Sequence, residues 1–428
     1  MISRFKKNDF LKSVVILMSG TAIAQIITIL ISPFLSRLYQ PEFFGIFAIY
    51  TSIISILTVI VTGRYELAIV LPKSESEARN VFALSNLIVV FFSILSSIII
   101  YFFGERILIL MNSPEFIPWL WWLPFSVFIA GIFQNLNYLL VRKSEYGVVS
   151  KSQISRTLGV SSVQLVSGLG NNTPGGLIGG QLFGQFLATL FMGYKLNSEK
   201  GELFKGISIR EIKKMGKKYS DFPKYSASQG LFFSIGQNLP PVLLLFFYDS
   251  QVVGLFALSM RLLNLPINLI GNNFKQVFFQ KASHSYNEGK DVYKLLKKTT
   301  IILSMIATIP LLTIILWGPN IFSVFLGESW YGSGQFAQIM TLWMFSVFIS
   351  RPTMAAIQIF SMQRFLLVYE IIGTVVKIIF FIITANYFNA FYAILSYSLA
   401  NVLFYLILMV YVFIKVKKKE DLEVLKIY

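Results

Sequence analysis

Three basic residues, Arg261, Arg351 and Lys377, lie inside apolar stretches that are long enough to cross a bilayer. A charge in the hydrocarbon is costly unless it faces water or a polar partner, so each one predicts a cavity or a polar neighbouring helix. Mid-membrane cations without a matching set of carboxylates suit an anionic ligand, and the planar fork of arginine binds phosphate oxygens in pairs. An exporter of organic cations should show the opposite charge.

Arg261 begins a polar stripe that runs along one face of its predicted helix. The stripe continues through Asn264, Asn268, Asn272 and Lys275, at spacings that keep all five residues on one side of an α-helix. The remaining positions are mostly Leu, Ile, Phe and Val. We interpret the stripe as the wall of an aqueous cavity, and the alternative is an arginine bonded to the carbonyls of a neighbouring helix.

Two further cations allow more than one interpretation. Lys377 shares a helix face with Glu370, which lies two turns away and too far for a contact within the helix, so the pair forms either a cavity cation with an acidic gate or two separate pairs with other helices. Arg351 precedes Pro352, whose ring frees a backbone carbonyl and kinks a helix. Arg351 therefore either faces the cavity, bonds that carbonyl or reaches the interface.

Polar residues also follow the first two predicted helices. Arg64 and Glu66 end the second helix at the inner interface, where an ion pair is the default and a role for Arg64 in ligand binding the alternative. Glu66, like Glu370, is also a candidate for coupling transport to H⁺ or Na⁺. Hydroxyl and amide stripes suit a hydrated, sugar-tolerant lumen, although hydroxyls bonded to their own backbone explain them nearly as well. The stripe residues are Thr21, Gln25, Thr28 and Ser32 in the first helix, and Thr51, Ser55, Thr58 and Thr62 in the second.

The composition excludes several kinds of chemistry. The chain has no cysteine and a single histidine, His284, so disulfides, thiolate sites and a catalytic thiol are excluded and a transition-metal site is improbable. The glycine-rich segment 175–180 opens a membrane helix without a preceding strand or a Lys-Ser/Thr pair, so it is not a phosphate loop. Gly176, Gly180 and Gly184 instead predict close helix packing. We therefore expect a protein without catalytic residues, cofactor or metal.

The elements that position these residues are membrane helices. Of the 428 residues, 55% are hydrophobic and 13% are charged, whereas a soluble domain carries roughly a quarter charged residues. Apolar runs recur from end to end and predict an all-α membrane protein of about twelve helices. They lie at about 13–36, 43–64, 80–103, 118–140, 154–170, 175–194, 225–247, 252–279, 297–317, 334–359, 366–384 and 390–414.

The placement of Lys and Arg predicts the orientation. With the N-terminus in the cytoplasm, nearly all of the 37 basic residues fall on the cytoplasmic side, and the outward loops hold only Arg37 and Arg106. We expect a multi-pass protein of a bacterial inner membrane with both termini in the cytoplasm. The basic segment before the first helix lacks a clear cleavage site, so we expect that helix to be retained. The net charge of +17 is loop charge and does not indicate nucleic acid.

A short internal repeat divides the chain. Gly45-Ile-Phe-Ala-Ile49 recurs as Gly254-Leu-Phe-Ala-Leu258, near the starts of the second and eighth helices. Each half then has six helices, so the two halves are parallel and a substrate would bind between them near the midplane. The predicted domains are a six-helix bundle at 1–194, a basic cytoplasmic linker at 195–224 and a second bundle at 225–428.

Two segments resemble a known family. Gly63-Arg-Tyr-Glu-Leu-Ala-Ile-Val-Leu-Pro72, followed by Glu77-Ala78, is similar to the exit of helix 2 in polysaccharide (O-antigen type, Wzx-like) flippases of the MOP exporter superfamily. Arg261-Leu-Leu-Asn-Leu-Pro266 with Gln276-Val-Phe-Phe279 is similar as well. The likeness extends over the whole chain in helix number, orientation and six-plus-six arrangement.

The resemblance implies a function and a set of binding residues. It implies that undecaprenyl-pyrophosphate-linked glycan units, of O-antigen or capsule type, are flipped from the cytoplasmic leaflet by alternating access. It also implies a cationic cavity facing the pyrophosphate, a role that falls on Arg261, and after it on Arg64, Arg351 and Lys377. Besides this lipid-linked substrate, we expect membrane lipids as partners.

Three other functions compete with this expectation. A cation-coupled multidrug exporter of the same superfamily needs carboxylates deep in the first half, where Glu42 and Glu66 are only interfacial. An unrelated twelve-helix solute carrier usually has a basic, glycine-rich loop after its second helix, and this chain lacks one. A glycan polymerase or ligase should have a large outward loop with catalytic residues, whereas the outward loops here are short.

Overall fold

The structure, a computed structural model, describes residues 7–110, 114–170, 172–198, 206–289 and 291–425. Within these ranges the regular elements are all helical and none is a strand. The chain divides into two compact units, Met1–Gly254 and Leu255–Tyr428, here called the N-terminal unit and the C-terminal unit.

The N-terminal unit holds nine complete helices among the described residues and the first turn of a tenth. They are α1 (Lys7–Leu38), α2 (Pro41–Val61), α3 (Tyr65–Ala68), α4 (Glu75–Leu110), α5 (Trp122–Arg142), α6 (Tyr146–Gly170), α7 (Pro174–Ser198), α8 (Ile209–Lys218), α9 (Ala227–Phe247) and α10 (Ser250–Pro266). Short 3-10 and π-helical turns at Pro114–Trp119 and Phe222–Ser226 lead into α5 and α9.

The C-terminal unit contains the rest of α10 and six further helices. A π-helical turn, Ile267–Gly271, follows α10, and a short 3-10 turn, Glu328–Trp330, precedes α13. The helices are α11 (Asn272–Asn287), α12 (Val292–Leu326), α13 (Tyr331–Ile349), α14 (Arg351–Ile359), α15 (Gln363–Tyr387) and α16 (Ala390–Leu425).

The expected all-α membrane architecture is confirmed. Eleven helical stretches of the described residues are long and apolar enough to cross a bilayer, so this is a multi-pass membrane protein. The fifth predicted helix is present as α6, but it is too polar for this set. It also begins at Tyr146, eight residues before its predicted start, because the hydroxyl and amide residues of its first two turns conceal the helix in a hydropathy pattern.

Two predicted helices are interrupted where proline enters them. The eighth passes through the π-helical turn directly after Pro266, and the tenth breaks at Ser350, before Arg351 and Pro352. Proline cannot donate a backbone hydrogen bond, and its ring displaces the carbonyl one turn earlier, so both breaks have a local cause. A π-turn also shifts the helix register, which the regular stripe from Arg261 to Lys275 did not anticipate.

The segment predicted as a basic linker contains a helix that is docked on the N-terminal unit. The side chain of Ser208 accepts a hydrogen bond of 3.2 Å from the backbone N–H of Glu211 and so caps α8. Met215 is fully buried in a core shared with α4 and α5, and the Tyr65 hydroxyl donates to the carbonyl of Gly216 at 3.0 Å. The helix α8 is thereby attached to α3, which follows the second membrane helix.

The glycines of the repeated motif meet each other within the N-terminal unit. A Cβ atom on Gly45 would overlap the carbonyl oxygen of Ser250, and a Cβ atom on Gly254 would overlap that of Pro41. Pro41 and Ser250 each stand four residues before a motif glycine, so the contact is reciprocal. Reciprocal contacts are what a twofold relation produces, and this one relates the two copies of the motif locally.

Candidate functional site

A polar cavity of about 330 Å³ lies inside the N-terminal unit. Its wall is built from one face each of α2, α5 and α7, with single residues from α3 and α6 and two residues from the turn after α2. The lining residues are Thr51, Ile54, Ser55, Thr58, Val59, Thr62, Arg64, Glu66, Ser126, Ile129, Ala130, Phe133, Gln134, Arg156, Gln181, Leu182 and Gln185.

A tight turn brings Arg64 to this cavity. The helix α2 ends at Val61, three residues before its predicted end, and Gly63 and Arg64 both adopt left-handed backbone conformations, with φ of 55° and 58°. Such a conformation is uncommon for a residue with a side chain and marks local strain. The guanidinium packs on Gly230 of α9, where a Cβ atom would overlap it. The turn therefore points Arg64 away from the axis of α2.

Glu66 forms the expected ion pair with Arg64, but in a buried setting. Nη1 of Arg64 lies 3.6 Å from Oε1 of Glu66, and Glu66 is only 3% exposed. The second carboxylate oxygen of Glu66 and Nε of Arg64 have no hydrogen-bond partner in the described part of the chain. Burial raises the pKa of Glu66, and hydrogen bonding from Thr62 and the charge of Arg64 oppose that shift.

The hydroxyl stripe of α2 lines the cavity and also bonds its own backbone. Thr58 donates to the carbonyl of Ile54 at 2.6 Å, and Ser55 and Thr51 make equivalent bonds one turn and two turns earlier. The stripe thus lies on the cavity wall while its hydroxyls bond the backbone, so the two interpretations do not exclude each other. A hydroxyl that donates to a carbonyl keeps lone pairs, so these oxygens can still accept hydrogen bonds from a ligand.

Arg156 also reaches the cavity, and the sequence analysis did not identify it. Its guanidinium lies 5.5 Å from the centre of the Phe133 ring, and no described residue forms a hydrogen bond or ion pair with it. Because α6 begins at Tyr146, Arg156 lies about 15 Å along the helix at 1.5 Å per residue. A predicted start at residue 154 had placed it at the interface.

The predicted glycine row explains why Arg156 and the glutamines of α7 share one wall. A Cβ atom on Gly180 would overlap the side chain of Gln164, and one on Gly184 would overlap Val160 and crowd the carbonyl oxygen of Arg156. The helices α6 and α7 therefore pack backbone to backbone, as small residues allow. Gln181 and Gln185, each one residue after a row glycine, face the cavity beside Arg156, and Gln134 of α5 faces it as well.

The first-helix stripe does not contribute to this cavity. The Thr28 hydroxyl donates to the carbonyl of Ala24 at 2.9 Å, and the side-chain oxygen of Gln25 is buried without a hydrogen-bond partner among the described residues. Neither Gln25 nor Thr28 belongs to the cavity lining. The cavity contains all four residues of the α2 stripe, Thr58 among them, and none of the α1 stripe.

Arg261, Asn264 and Asn268 belong to the C-terminal unit. Arg261 is half-buried, and no hydrogen bond or ion pair joins it to any described residue. Asn264 donates to the carbonyl of Met260 at 2.8 Å, one turn earlier in α10. Asn268 lies in the π-helical turn and is exposed. The aqueous cavity proposed at Arg261 stays a prediction.

Arg351 packs against the same π-helical turn. A Cβ atom on Gly271 would lie 3.2 Å from Cγ of Arg351, so the glycine makes room for the stem of the arginine. Nε of Arg351 is buried without a hydrogen-bond partner in the described ranges. Arg351 also lies close enough to Lys275 to interact with its charge. Two cations thus approach each other at this turn.

Glu370 and Lys377 share a very small cavity in the C-terminal unit. Its volume is about 10 Å³, enough for roughly one water molecule. The two charges form no direct ion pair, as their spacing had predicted. Lys377 instead donates to the side-chain oxygen of Asn401 at 3.3 Å and lies 5.9 Å from the ring centre of Phe404. Both of these partners are on α16, so Lys377 pairs with another helix.

Solved structures with a similar fold are transporters of the MOP superfamily. "Lipid II flippase MurJ" in an inward closed conformation aligns over 97% of this chain and 92% of its own, with a TM-score of 0.75 and 14% identity. A multidrug resistance MATE family transporter in an inward-facing conformation aligns over 95% of both chains, with a TM-score of 0.65 and 16% identity.

A third structure concerns the polarity of the binding pocket. It is a MOP superfamily transporter from Pyrococcus furiosus, described as having a reversed polarity of its binding pocket that suggests a different function. It aligns over 95% of this chain and 96% of its own, with a TM-score of 0.56 and 15% identity. At these identities the likeness shows the fold, which is the MOP transporter fold.

The sequence comparisons identify the family. No curated protein matches the sequence with significance. A family profile described as "Polysaccharide biosynthesis protein" matches residues 34–335, which is more than two thirds of the chain and includes the whole cavity wall. The resemblance found in the sequence is confirmed at this level, and the chain belongs to the polysaccharide biosynthesis protein family.

Proposed function

We propose that this protein flips an undecaprenyl-pyrophosphate-linked oligosaccharide, of the O-antigen or capsule type, from the cytoplasmic to the outer leaflet of a bacterial inner membrane. The observation that carries the proposal is the polar cavity of the N-terminal unit, which holds two arginines and one glutamate. In a polysaccharide biosynthesis protein with a MOP transporter fold, such a cavity suits a hydrated, anionic headgroup.

The polar residues divide between the parts of the substrate. Hydroxyl and carboxamide groups of the cavity are suited to sugar hydroxyls, because each can both donate and accept hydrogen bonds. The cations Arg261, Arg351 and Lys377 are suited to the pyrophosphate, because charge-assisted bonds to phosphate are strong. The polyprenyl tail stays in lipid, so only the headgroup crosses. No chemical change of the substrate is required.

Alternating access requires a step that changes the cavity, and two carboxylates, one buried and one half-buried, are suited to drive it. Glu66 lies at the cavity wall, and Glu370 lies beside Lys377 in the C-terminal unit. Protonation or Na⁺ binding at either one changes the charge that the neighbouring cation feels. We propose coupling to H⁺ or Na⁺ through these residues, with both termini on the cytoplasmic side.

A cation-coupled multidrug exporter is the second candidate function. The likeness to a MATE family transporter and the buried carboxylate of Glu66 favour it. The cavity charge opposes it, because two arginines outnumber one glutamate, and a site for organic cations should carry the opposite sign.

Deletion of the gene distinguishes the two functions. A flippase deletion should abolish the surface glycan and leave the lipid-linked repeat unit to accumulate inside the cell. Extracted lipid-linked units and surface glycan are measured in parallel, and a plasmid copy should restore both. Intact surface glycan together with a raised sensitivity to cationic drugs would establish the exporter instead.

A further inference from the structure

We infer that the cavity of the N-terminal unit binds a sugar carrying a single carboxylate, and that Arg156 pairs with that carboxylate. The inference rests on the proposed function, because it names the class of glycan that the protein moves. It concerns a different residue and a different group of the substrate from those assigned above to the pyrophosphate.

The charges of the cavity wall favour a ligand with a single negative charge. Arg64 lies 3.6 Å from Glu66, so the two side chains compensate each other. Arg156 has no such partner among the described residues, and its guanidinium lies over the face of the Phe133 ring. One positive charge is therefore left for a ligand. A carboxylate carries one negative charge and matches it, whereas a diphosphate carries two.

The neutral polar groups of the wall favour a sugar as the ligand. The carboxamides of Gln134, Gln181 and Gln185 face the cavity, and no described residue forms a hydrogen bond with any of them. Each offers two donor hydrogens and an acceptor oxygen, and the hydroxyls of α2 add further acceptors. The volume of about 330 Å³ lies within the usual range for small-molecule sites, about 300–1,000 Å³.

Packing holds Arg156 ready for the ligand. The Phe133 ring lies beneath its guanidinium at 5.5 Å, and the glycine row fixes the backbone of α6 against α7. An arginine that is held in place loses less freedom on binding, and its planar fork fits the two oxygens of a carboxylate. Arg156 is half-buried, and a bound carboxylate would supply the partner that its partly desolvated charge lacks.

The chain contains no cysteine, so a single cysteine can report the potential inside the cavity. Gln181→Cys places it on the wall, and purified protein is labelled with an anionic or a cationic methanethiosulfonate reagent. We expect the anionic reagent to be favoured, and Arg156→Gln to slow its labelling by roughly tenfold, as for a unit charge about 10 Å away at an effective dielectric of about 20, and so to lower the preference. Arg156→Lys should retain most of it.

Protection of the reporter cysteine from labelling by a bound sugar tests whether the ligand is an acidic sugar. Glucuronate should slow labelling of the reporter cysteine at concentrations where glucose does not, and Arg156→Gln should abolish this protection. Lys151→Gln is the matched control, because Lys151 is an exposed cation on the same helix outside the cavity. It should change neither result. Thr58→Cys is a second reporter, on α2, if Gln181→Cys folds poorly.

Four results would overturn the inference. They are an anionic preference that Arg156→Gln does not change, equal protection by glucose and glucuronate, stronger protection by inorganic pyrophosphate, and no protection by glucuronate up to its solubility limit. The proposed function fails on a separate measurement, the surface glycan of the deletion strain. Either idea can therefore fail while the other stands.

Discussion

Two arginines line the wall of one cavity. They differ in whether a neighbouring carboxylate already neutralises their positive charge. Arg64 sits at the end of a left-handed turn with Glu66 3.6 Å away, whereas Arg156 lies over an aromatic face without a carboxylate. An opposite charge at that distance cancels much of the field beyond it. At the scale of single residues, the partner of each arginine therefore decides its role.

The buried carboxylate of Glu66 should make this site sensitive to pH. Burial raises its pKa, so in the folded protein it takes up a proton at a higher pH than an exposed glutamate. Arg64, Tyr138 and Arg156 are the ionisable groups around it. Since the folded-state pKa is raised, the stability linked to this group is present below the ordinary glutamate pKa and is lost as pH rises through the raised value.

Glu66→Gln removes that group and should remove the associated pH step. Thermal unfolding midpoints in detergent should fall with rising pH in the wild type and stay flatter in the variant across the same interval. Transport by Glu66→Gln should likewise lose part of its pH dependence. Glu42→Gln is a control from the start of α2, outside the cavity lining. Parallel profiles of wild type and Glu66→Gln would remove Glu66 as a coupling residue.

Arg261 should act through its charge. If it binds phosphate, Arg261→Lys should keep partial function, because the ammonium retains the charge but loses the paired geometry of the guanidinium. Arg261→Ala should lose most surface glycan, since losing a buried charge-assisted contact costs roughly 2–5 kcal/mol. The measurement is surface glycan in deletion cells at matched protein levels. Full activity of Arg261→Ala would leave Arg261 a packing residue.

At the scale of helices, two features matter most: the positions where a helix is interrupted, and the positions where glycines let two backbones come close. Each of three helix breaks lies within six residues of a predicted binding cation. The turn after α2 contains Arg64, the π-helical turn follows Arg261, and the break at Ser350 precedes Arg351. A break redirects side chains that a continuous helix would align. It follows that helix register, and not only spacing, determines where these cations point.

The reciprocal contact of the two motif glycines should not tolerate a methyl group. Gly45→Ala or Gly254→Ala would place a Cβ atom against a backbone carbonyl oxygen, and such overpacking costs roughly 1–3 kcal/mol. Gly193→Ala is the matched control, because nothing lies within 4 Å of its added atom, which sits near the C-terminal end of α7. It should be neutral or stabilising by about 0.5–1 kcal/mol.

Thermal unfolding in detergent measures both outcomes. The midpoint should fall for the two motif variants and should hold or rise for Gly193→Ala. A double variant, with alanine at both motif positions, should cost less than the sum of the single changes, because either methyl group already separates the same two segments. If both single variants unfold like the wild type, the close approach does not contribute to stability.

At the scale of the whole molecule, basic residues predict the orientation. The described α8 bears Arg210, Lys213 and Lys217 on an exposed face opposite the buried Met215, and the end of α16 bears Lys415 to Lys419. Basic segments of this kind stay on the cytoplasmic side of a membrane. The two segments therefore predict the same side for the linker and for the C-terminal tail.

Reporter fusions test that orientation. Fusions after Lys213 and Lys419 should behave as cytoplasmic, and fusions after Asn172 and Asn389 should behave as periplasmic, because these asparagines lie in loops with few basic residues. Alkaline phosphatase and a fluorescent protein give opposite signals at each site. A periplasmic signal at Lys419 would contradict an even number of crossings.

The sequence by itself determined the class of the molecule. Apolar runs and the scarcity of charge predicted a multi-pass helical protein, and the motifs after helix 2 and in helix 8 pointed to the family and fold that the comparisons confirm. These properties are local, since each depends on about twenty consecutive residues and the cost of placing them in lipid or water. The ion pair of Arg64 and Glu66, two residues apart, could be predicted for the same reason.

Only the tertiary structure decided which polar residues meet. Three consecutive helices, α5, α6 and α7, contribute Gln134, Arg156, Gln181 and Gln185, and a glycine row brings α6 and α7 into contact. The α1 stripe, which includes Gln25 and Thr28, is polar with the same spacing as the stripe of α2, yet it does not line this cavity. A hydropathy pattern records the polarity of a helix face, whereas the packing of several helices determines what that face meets.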